Sequence, residues 1–113
     1  GSIKSNFNLR LYADPEDDNT SGFQNIQFFT AGTNEKMRIN YNGHVGIGTT
    51  SPNASSLLDV SSTTKGVLLP RMTTTQVNAI SSPANGLTVY NTTLNTLCFY
   101  NGTSWQKVTS ANM

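Results

Sequence analysis

The apolar residues of this chain recur at every second position in several separate segments. Residues 6–13 read NFNLRLYA, residues 36–41 read KMRINY, and residues 87–90 read LTVY. In a β-strand, successive side chains point to opposite faces, so residues two apart share a face. Each segment is therefore predicted to be a half-buried strand. The pattern therefore predicts a mostly β fold.

Two Asn-Gly pairs mark turns between such strands. Asn42-Gly43 follows KMRINY, and Asn101-Gly102 separates TLCFYN from TSWQKV. The pair favours a tight hairpin because both turn residues must accept a positive φ. Residues 86–109 are therefore predicted to form a three-stranded antiparallel meander.

The alternation also predicts how the meander faces its core. Tyr90 and Tyr100 are expected to lie together on the outer face, with Cys98 beside them. As the only cysteine, Cys98 is expected to pack rather than to do redox work, and it excludes an internal disulfide. The residues expected to face the core are Leu87, Val89, Leu97 and Phe99.

One short helix is predicted near residues 74–81. Thr73 and Gln76 have the spacing of a capping box, in which each residue bonds the backbone N–H of the other. Val77 and Ile80 are three apart and share a helical face, and a proline follows.

Apolar material is scarce in this chain. Leu, Ile, Val and Phe supply 25 of the 113 residues, whereas Ser, Thr and Asn supply 42. So few large apolar side chains make a thin core, and association with other copies would remove further apolar surface from water. The chain is therefore expected to complete its core by self-association. A polar all-β monomer is the alternative that composition leaves open.

The charge pattern argues against two classes of partner. The net charge is +1 and 12% of the residues are charged, so electrostatic capture of nucleic acid or of an anionic membrane has little support. No apolar run approaches the roughly 18 residues that a membrane-spanning helix needs. Residues 1–2 are interpreted as a scar of tag removal.

The segment GHVGIGTT resembles a phosphate-binding loop only in its glycine spacing. Gly43 and Gly48 have the spacing of GxxxxGK[ST], but Thr49 stands where the motif needs Lys. Gly46 and Gly48 also alternate with Val45 and Ile47, so one face of the predicted strand is bare and allows close approach of another backbone. No nucleotide or other cofactor is expected.

The acidic segment that follows the first predicted strand is interpreted as a solvated loop. Asp14, Glu16 and Asp18 match the first, third and fifth positions of an EF-hand loop, but Asn19 replaces its glycine and Asn25 its closing Glu. No spacing of Ser, Cys, His or carboxylate residues indicates a catalytic group. We therefore expect no enzymatic activity.

Residues 37–108 carry five short motifs in a fixed order: VGIGTTSP, LDVSSTTKG, PRMTT, GLTVYNT and FYNGTSW. This series resembles the repeat-like region of bacteriophage tail-fibre proteins and related phage-like surface proteins. The resemblance implies an intertwined homotrimeric fibre-type β structure. It divides the chain into an N-terminal β segment at residues 3–51 and a C-terminal fibre or spike module at residues 52–113.

The resemblance further implies a structural virion fibre or spike segment on the virion surface. Its expected partners are two identical copies, other virion proteins and a host-surface receptor, for which a glycan is the candidate. Gly46 and Gly48 would let strands crowd near the trimer axis. The residues expected in the trimer core are Val45, Ile47, Leu57, Leu58, Val67, Leu68 and Leu69.

Four residues are predicted to contact the receptor, because rigid aromatics and amides suit sugar faces. These are Tyr90, Tyr100, Asn101 and Trp105. The alternative is that their side chains only pack. His44 is interpreted as a turn residue in water, and an ion held by three copies on the axis is the weaker alternative. Alternative functions are a bacterial surface or secreted adhesin module and a non-catalytic part of a polysaccharide-depolymerising tailspike.

Overall fold

The computed structural model describes residues 25–113, which form two units with a boundary between Lys65 and Gly66. The strand predicted at residues 6–13 and the acidic segment from Asp14 lie outside the described residues. The sequence places its boundary earlier, at residues 51/52. In the structure, the strand at Leu58–Val60 pairs with the N-terminal sheet, which moves the boundary beyond it.

The first unit contains a four-stranded sheet with the strand order β1-β2-β3-β4. The first three strands pair antiparallel, and β4 runs parallel to β3. Its strands are β1 (Ile26–Thr30), β2 (Asn34–Ile39), β3 (Val45–Ile47) and β4 (Leu58–Val60).

The turn between β2 and β3 is built by the predicted Asn-Gly pair together with a second asparagine. Of the pair, only Gly43 has a positive φ, 86°, so the connection is a five-residue loop at residues 40–44 rather than the tight two-residue turn that the sequence predicts. The Asn40 side-chain oxygen accepts hydrogen bonds from the backbone N–H groups of Asn42, at 3.1 Å, and His44, at 3.0 Å. These bonds satisfy backbone N–H groups within the turn and fix the register of β2 and β3.

A β-bulge in β2 changes which residues share a face. Phe28 pairs with Met37 and Phe29 pairs with Glu35, so Lys36 is an extra residue without a partner on β1. In a regular strand, residues three apart point to opposite faces. The bulge instead brings Glu35 and Arg38 to the same face.

Gly46 and Gly48 do allow close approach, but in the described residues the approaching atoms belong to the same chain. A Cβ on Gly46 would lie 2.7 Å from the Pro52 side chain and 2.9 Å from the Thr49 carbonyl oxygen. Gly48 has a φ of 77°, and a Cβ there would collide with the carbonyl oxygen of Ser61. Gly46 therefore lets the segment that joins β3 to β4 fold back over β3, and Gly48 makes room for the residue that follows β4.

The second unit contains the other four-stranded sheet, with the order β5-β6-β7-β8. Strand β5 runs parallel to β6, and β6, β7 and β8 pair antiparallel in chain order. Its elements are β5 (Arg71–Met72), α1 (Thr74–Asn78), β6 (Thr88–Asn91), β7 (Thr96–Tyr100) and β8 (Trp105–Lys107).

The predicted capping box is confirmed. The Thr73 side chain accepts a hydrogen bond from the Gln76 N–H, and the Gln76 side chain accepts one from the Thr73 N–H. The helix ends at Asn78, three residues before the predicted end, and a shorter-range bond from the Ile80 N–H to the Val77 carbonyl, 3.2 Å, tightens its exit.

The core of the second unit is small and contains the cysteine. Val77 of α1, Val89 of β6 and Cys98 of β7 are its buried apolar residues, and partly buried Met72, Ile80 and Trp105 pack against them. No other described residue belongs to the buried apolar core.

The predicted facing of the meander is wrong for β7. Val89 pairs with Cys98, and Tyr90 pairs with Leu97. Partners in a ladder share a face, so Cys98 lies inside, whereas Leu97 and Phe99 lie on the opposite face with Tyr90. A shift of one residue in strand register moves every side chain of the strand to the other face of the sheet, and the side chains of β7 differ from the prediction in this way.

Asn91 accounts for this register. It is 2% exposed, and its side-chain oxygen accepts from the backbone N–H groups of Thr93 and Leu94, at 2.9 and 3.0 Å. Its amide nitrogen donates to Thr74 Oγ1 at 2.9 Å. One buried amide thus holds the β6–β7 loop and the start of α1 together.

We predict a graded cost for alanine at three glycines. Gly66→Ala should change stability little, because its φ is not left-handed and no atom lies within 4 Å of the new Cβ. Gly43→Ala should cost about 1 kcal/mol for the left-handed backbone alone. Gly48→Ala should cost about 2 kcal/mol or more, because the same strain is joined by the collision with Ser61. Denaturant unfolding midpoints at one protein concentration check the order, and equal midpoints for Gly43→Ala and Gly48→Ala would contradict it.

Candidate functional site

The described part of the chain exposes far more apolar surface than it buries. Three hydrophobic side chains are buried, whereas fifteen large hydrophobic side chains are exposed. Isolated exposed apolar residues are ordinary on protein surfaces, but contiguous ones mark contact sites. The question is therefore whether these side chains share a face.

In the first unit they do. The register places two rows of apolar side chains across all four strands on one side of the sheet, and none of these side chains is fully buried. We call this surface the apolar face. One row consists of Ile26, Ile39, Val45 and Leu58, and the other consists of Phe28, Met37, Ile47 and Val60.

The opposite face of the same sheet is polar. Arg38 forms an ion pair with Glu35 at 2.7 Å, and the Gln27 amide donates to the same carboxylate. Asp59 accepts a hydrogen bond from the Asn53 N–H at 2.9 Å. The hydrogen bond from Arg38, and more weakly the one from Gln27, holds the pKa of Glu35 below its usual value, against the opposing effect of partial desolvation. The two faces of the sheet therefore differ: one is apolar, and on the other the side chains of Glu35, Arg38 and Asp59 have polar partners.

The second unit has an apolar groove of about 510 Å³. Val67 and Leu68, which precede β5, are 63% and 75% exposed beside it. In the described part of the chain, the backbone of residues 66–69 forms no hydrogen bond. The residues that line the groove are Val67, Leu68, Leu69, Arg71, Tyr90 and Leu97.

The predicted trimer-core residues are thus divided between two surfaces. Val45, Ile47 and Leu58 lie on the apolar face, and Leu57 is exposed just before β4. Val67, Leu68 and Leu69 line the groove of the second unit.

The sequence prediction missed more than half of the apolar face. Four of the five missed residues have polar neighbours on both sides in the sequence, Phe28 is followed by Phe29, and the Asn42-Gly43 turn aligns β2 with β3. That signal was sufficient to place Met37 and Ile39 beside Ile47 and Val45. The missed residues are Ile26, Phe28, Met37, Ile39 and Val60.

The four predicted receptor-contact residues do not form one patch. Tyr100 and Trp105 are cross-strand partners with their rings 5.5 Å apart in an edge-to-face arrangement. The Asn101 side-chain oxygen accepts from the backbone N–H groups of Thr103 and Ser104, so this residue builds the β7–β8 turn. Tyr90 lies on the opposite face of the sheet, at the apolar groove.

Trp105 also borders a hollow of about 520 Å³ beside α1. Its lining mixes apolar side chains, such as Leu94, with polar ones from several elements. Asn78 contributes from the end of α1 and Lys107 contributes from β8. An indole ring beside amide and ammonium groups is a combination that suits a polar, ring-shaped ligand.

His44 lies in the β2–β3 turn, as the sequence predicts. Its Nδ1 atom is 3.3 Å from the Asn53 carbonyl oxygen. Among residues 25–113, no group of three or more His, Cys, Asp or Glu side chains is placed to hold a metal ion. Within the same range, no helix has the length and apolar character to cross a membrane.

Comparison with known families identifies a region that includes the second unit and part of the apolar face. Residues 46–113 match the model of the family described as "Phage tail like trimerisation region". The match covers more than half of the chain, and the chain belongs to this family. The membership confirms the resemblance to phage tail-fibre-like proteins, and it supports self-association as a homotrimer in a fibre-type structural segment. No curated protein and no solved structure gave a significant match.

We predict that the Glu35–Arg38 pair makes stability depend on pH. Because the pKa of Glu35 is lowered in the folded chain, its contribution is present above the unfolded pKa and is lost as the pH falls through the folded pKa. Glu35→Gln should therefore unfold more easily than the wild type at neutral pH, and the difference should vanish in acid. Arg38→Gln should show the same convergence in thermal unfolding across a pH series, and a constant difference at every pH would contradict the assignment.

Proposed function

We propose that this chain is a homotrimeric fibre segment of a bacteriophage or phage-tail-like particle. In this proposal, the apolar surfaces of three copies supply the common interior that one copy lacks. The observation that carries it is the apolar face, on which four of the eight large side chains are exposed and none is buried, whereas the second unit buries only three apolar side chains. The family membership supports three copies rather than two.

The expected energies are of the right size. Four side chains of the apolar face are 39–58% exposed, and covering the remainder is worth about 2 kcal/mol each at roughly 25 cal/mol per Å². These four side chains give about 8 kcal/mol per chain, whereas each association step costs roughly 4–15 kcal/mol in lost freedom. The apolar face alone would support a weak complex. Additional burial at the groove of the second unit would make the trimer stable.

The proposed role is structural and adhesive rather than catalytic. The polar side chains of the described residues are largely used to build turns, as Asn40, Asn91 and Asn101 illustrate. We place the segment on the virion surface, where it joins other virion proteins and contributes to host attachment. The hollow beside Trp105 is the proposed contact site, with a glycan as the ligand class.

The mass of the protein in solution tests the trimer. Light scattering coupled to size exclusion should give three times 12.2 kDa at micromolar concentration. Leu68→Ser should weaken the complex without loss of secondary structure, because its side chain is 75% exposed in the single chain. A wild-type mass of 12.2 kDa, unchanged at the highest soluble concentration, would refute the proposed assembly.

Glycan binding tests the attachment role. The wild-type protein should bind host cells or a panel of surface polysaccharides, and Asn78→Ala and Lys107→Ala should each reduce binding several-fold, because both residues line the hollow. Thr88→Ala is the matched control, since Thr88 is exposed on the opposite face of the sheet. Equal binding by all three variants would exclude the hollow. Shortening of the polysaccharide during incubation would instead indicate a depolymerising tailspike.

A further inference from the structure

We propose, on the basis of the trimer proposed above, that the interface between copies extends beyond the matched trimerisation region. Strands β1 and β2 precede the match, which begins at Gly46 in β3. The apolar face runs without interruption from β4 back to β1. A second copy of this chain is the partner that we assign to the whole face.

The continuity of the two rows carries this inference. In the second row, Val60 pairs with Ile47, Ile47 pairs with Met37, and Met37 pairs with Phe28. Ile47 and Val60 lie inside the matched region, whereas Met37 and Phe28 lie outside it. Neighbouring strands are about 4.8 Å apart, so Phe28 is only about 10 Å from Ile47 along the row. A partner that covers Ile47 and Val60 therefore meets Met37 and Phe28 as well.

The difference between the two faces of the first sheet supports a second copy of this chain as the partner that covers the apolar face. Neither row of the apolar face contains a charged side chain, so covering the two rows buries no charge that belongs to them. The charged residues Glu35, Arg38 and Asp59 all lie on the polar face, where their partners are already present. The polar face is also closed at Gly46 by Pro52, which leaves no bare backbone there for a partner to approach.

Two adjacent phenylalanines provide a matched test. Phe28 is 44% exposed on the apolar face, and Phe29 is 49% exposed on the polar face opposite Glu35. In the full-length chain, Phe28→Lys should raise the concentration at which half of the trimer dissociates by about tenfold or more, because it places a charge in the interface. Phe29→Lys should leave that concentration within about twofold of the wild type. Mass measured across a dilution series gives both values.

A second measurement remains decisive if Phe28→Lys fails to fold. Phe28→Cys and Phe29→Cys are labelled with a nitroxide, and the wild type, whose Cys98 is buried, serves as the labelling control. Labels at residue 28 should show dipolar coupling between copies, and labels at residue 29 should show weaker coupling. An immobilised label at residue 28 with no coupling would mean that another part of the same chain covers the face, which would overturn the inference.

The outcomes separate the two proposals. A monomeric wild type would refute the trimer itself. A trimeric wild type whose dissociation is equally insensitive to Phe28→Lys and Phe29→Lys would refute only the extension of the interface to β1 and β2.

Discussion

Incomplete burial of apolar side chains is the constraint on which this structure depends. Among the apolar side chains of the described residues, only Val77, Val89 and Cys98 are buried, whereas the first sheet leaves two full rows of apolar side chains partly or largely exposed. A sheet with one apolar and one polar face is stable only when the apolar face is covered. The described residues therefore leave this burial incomplete, and we propose identical copies as the source of the missing cover.

Local polar contacts decide which side chains this apolar surface contains. The bulge at Lys36 turns Glu35 toward Arg38, and so keeps both charges away from Phe28 and Met37. In the second unit, the buried amide of Asn91 fixes the β6–β7 loop, and with it the face on which Cys98 lies. In both units, hydrogen bonds within a few residues of a turn decide the composition of a much larger surface.

The family match and the apolar face overlap without coinciding. The match begins at Gly46, inside β3, and covers β4 and the second unit. The apolar face is formed by strand pairing, which brings together residues that are distant in the chain. The family match, by contrast, covers one continuous stretch of sequence. Strands β1 and β2 can therefore take part in the same contact as the matched residues while lying outside the match.

Much of the local structure follows from the sequence alone. The period-two segments at residues 36–41 and 87–90, the positive φ at Gly43 and the capping box of Thr73 and Gln76 each depend on residues within a few positions of one another. The register of β7 and the bulge at Lys36 were not predictable in this way. The energies that select them come from contacts such as Asn91 with Thr74, 17 residues apart, and from strand partners that chain order does not specify. Local preference thus determined the strands and turns, and only the tertiary structure decided which of their faces remain apolar and uncovered.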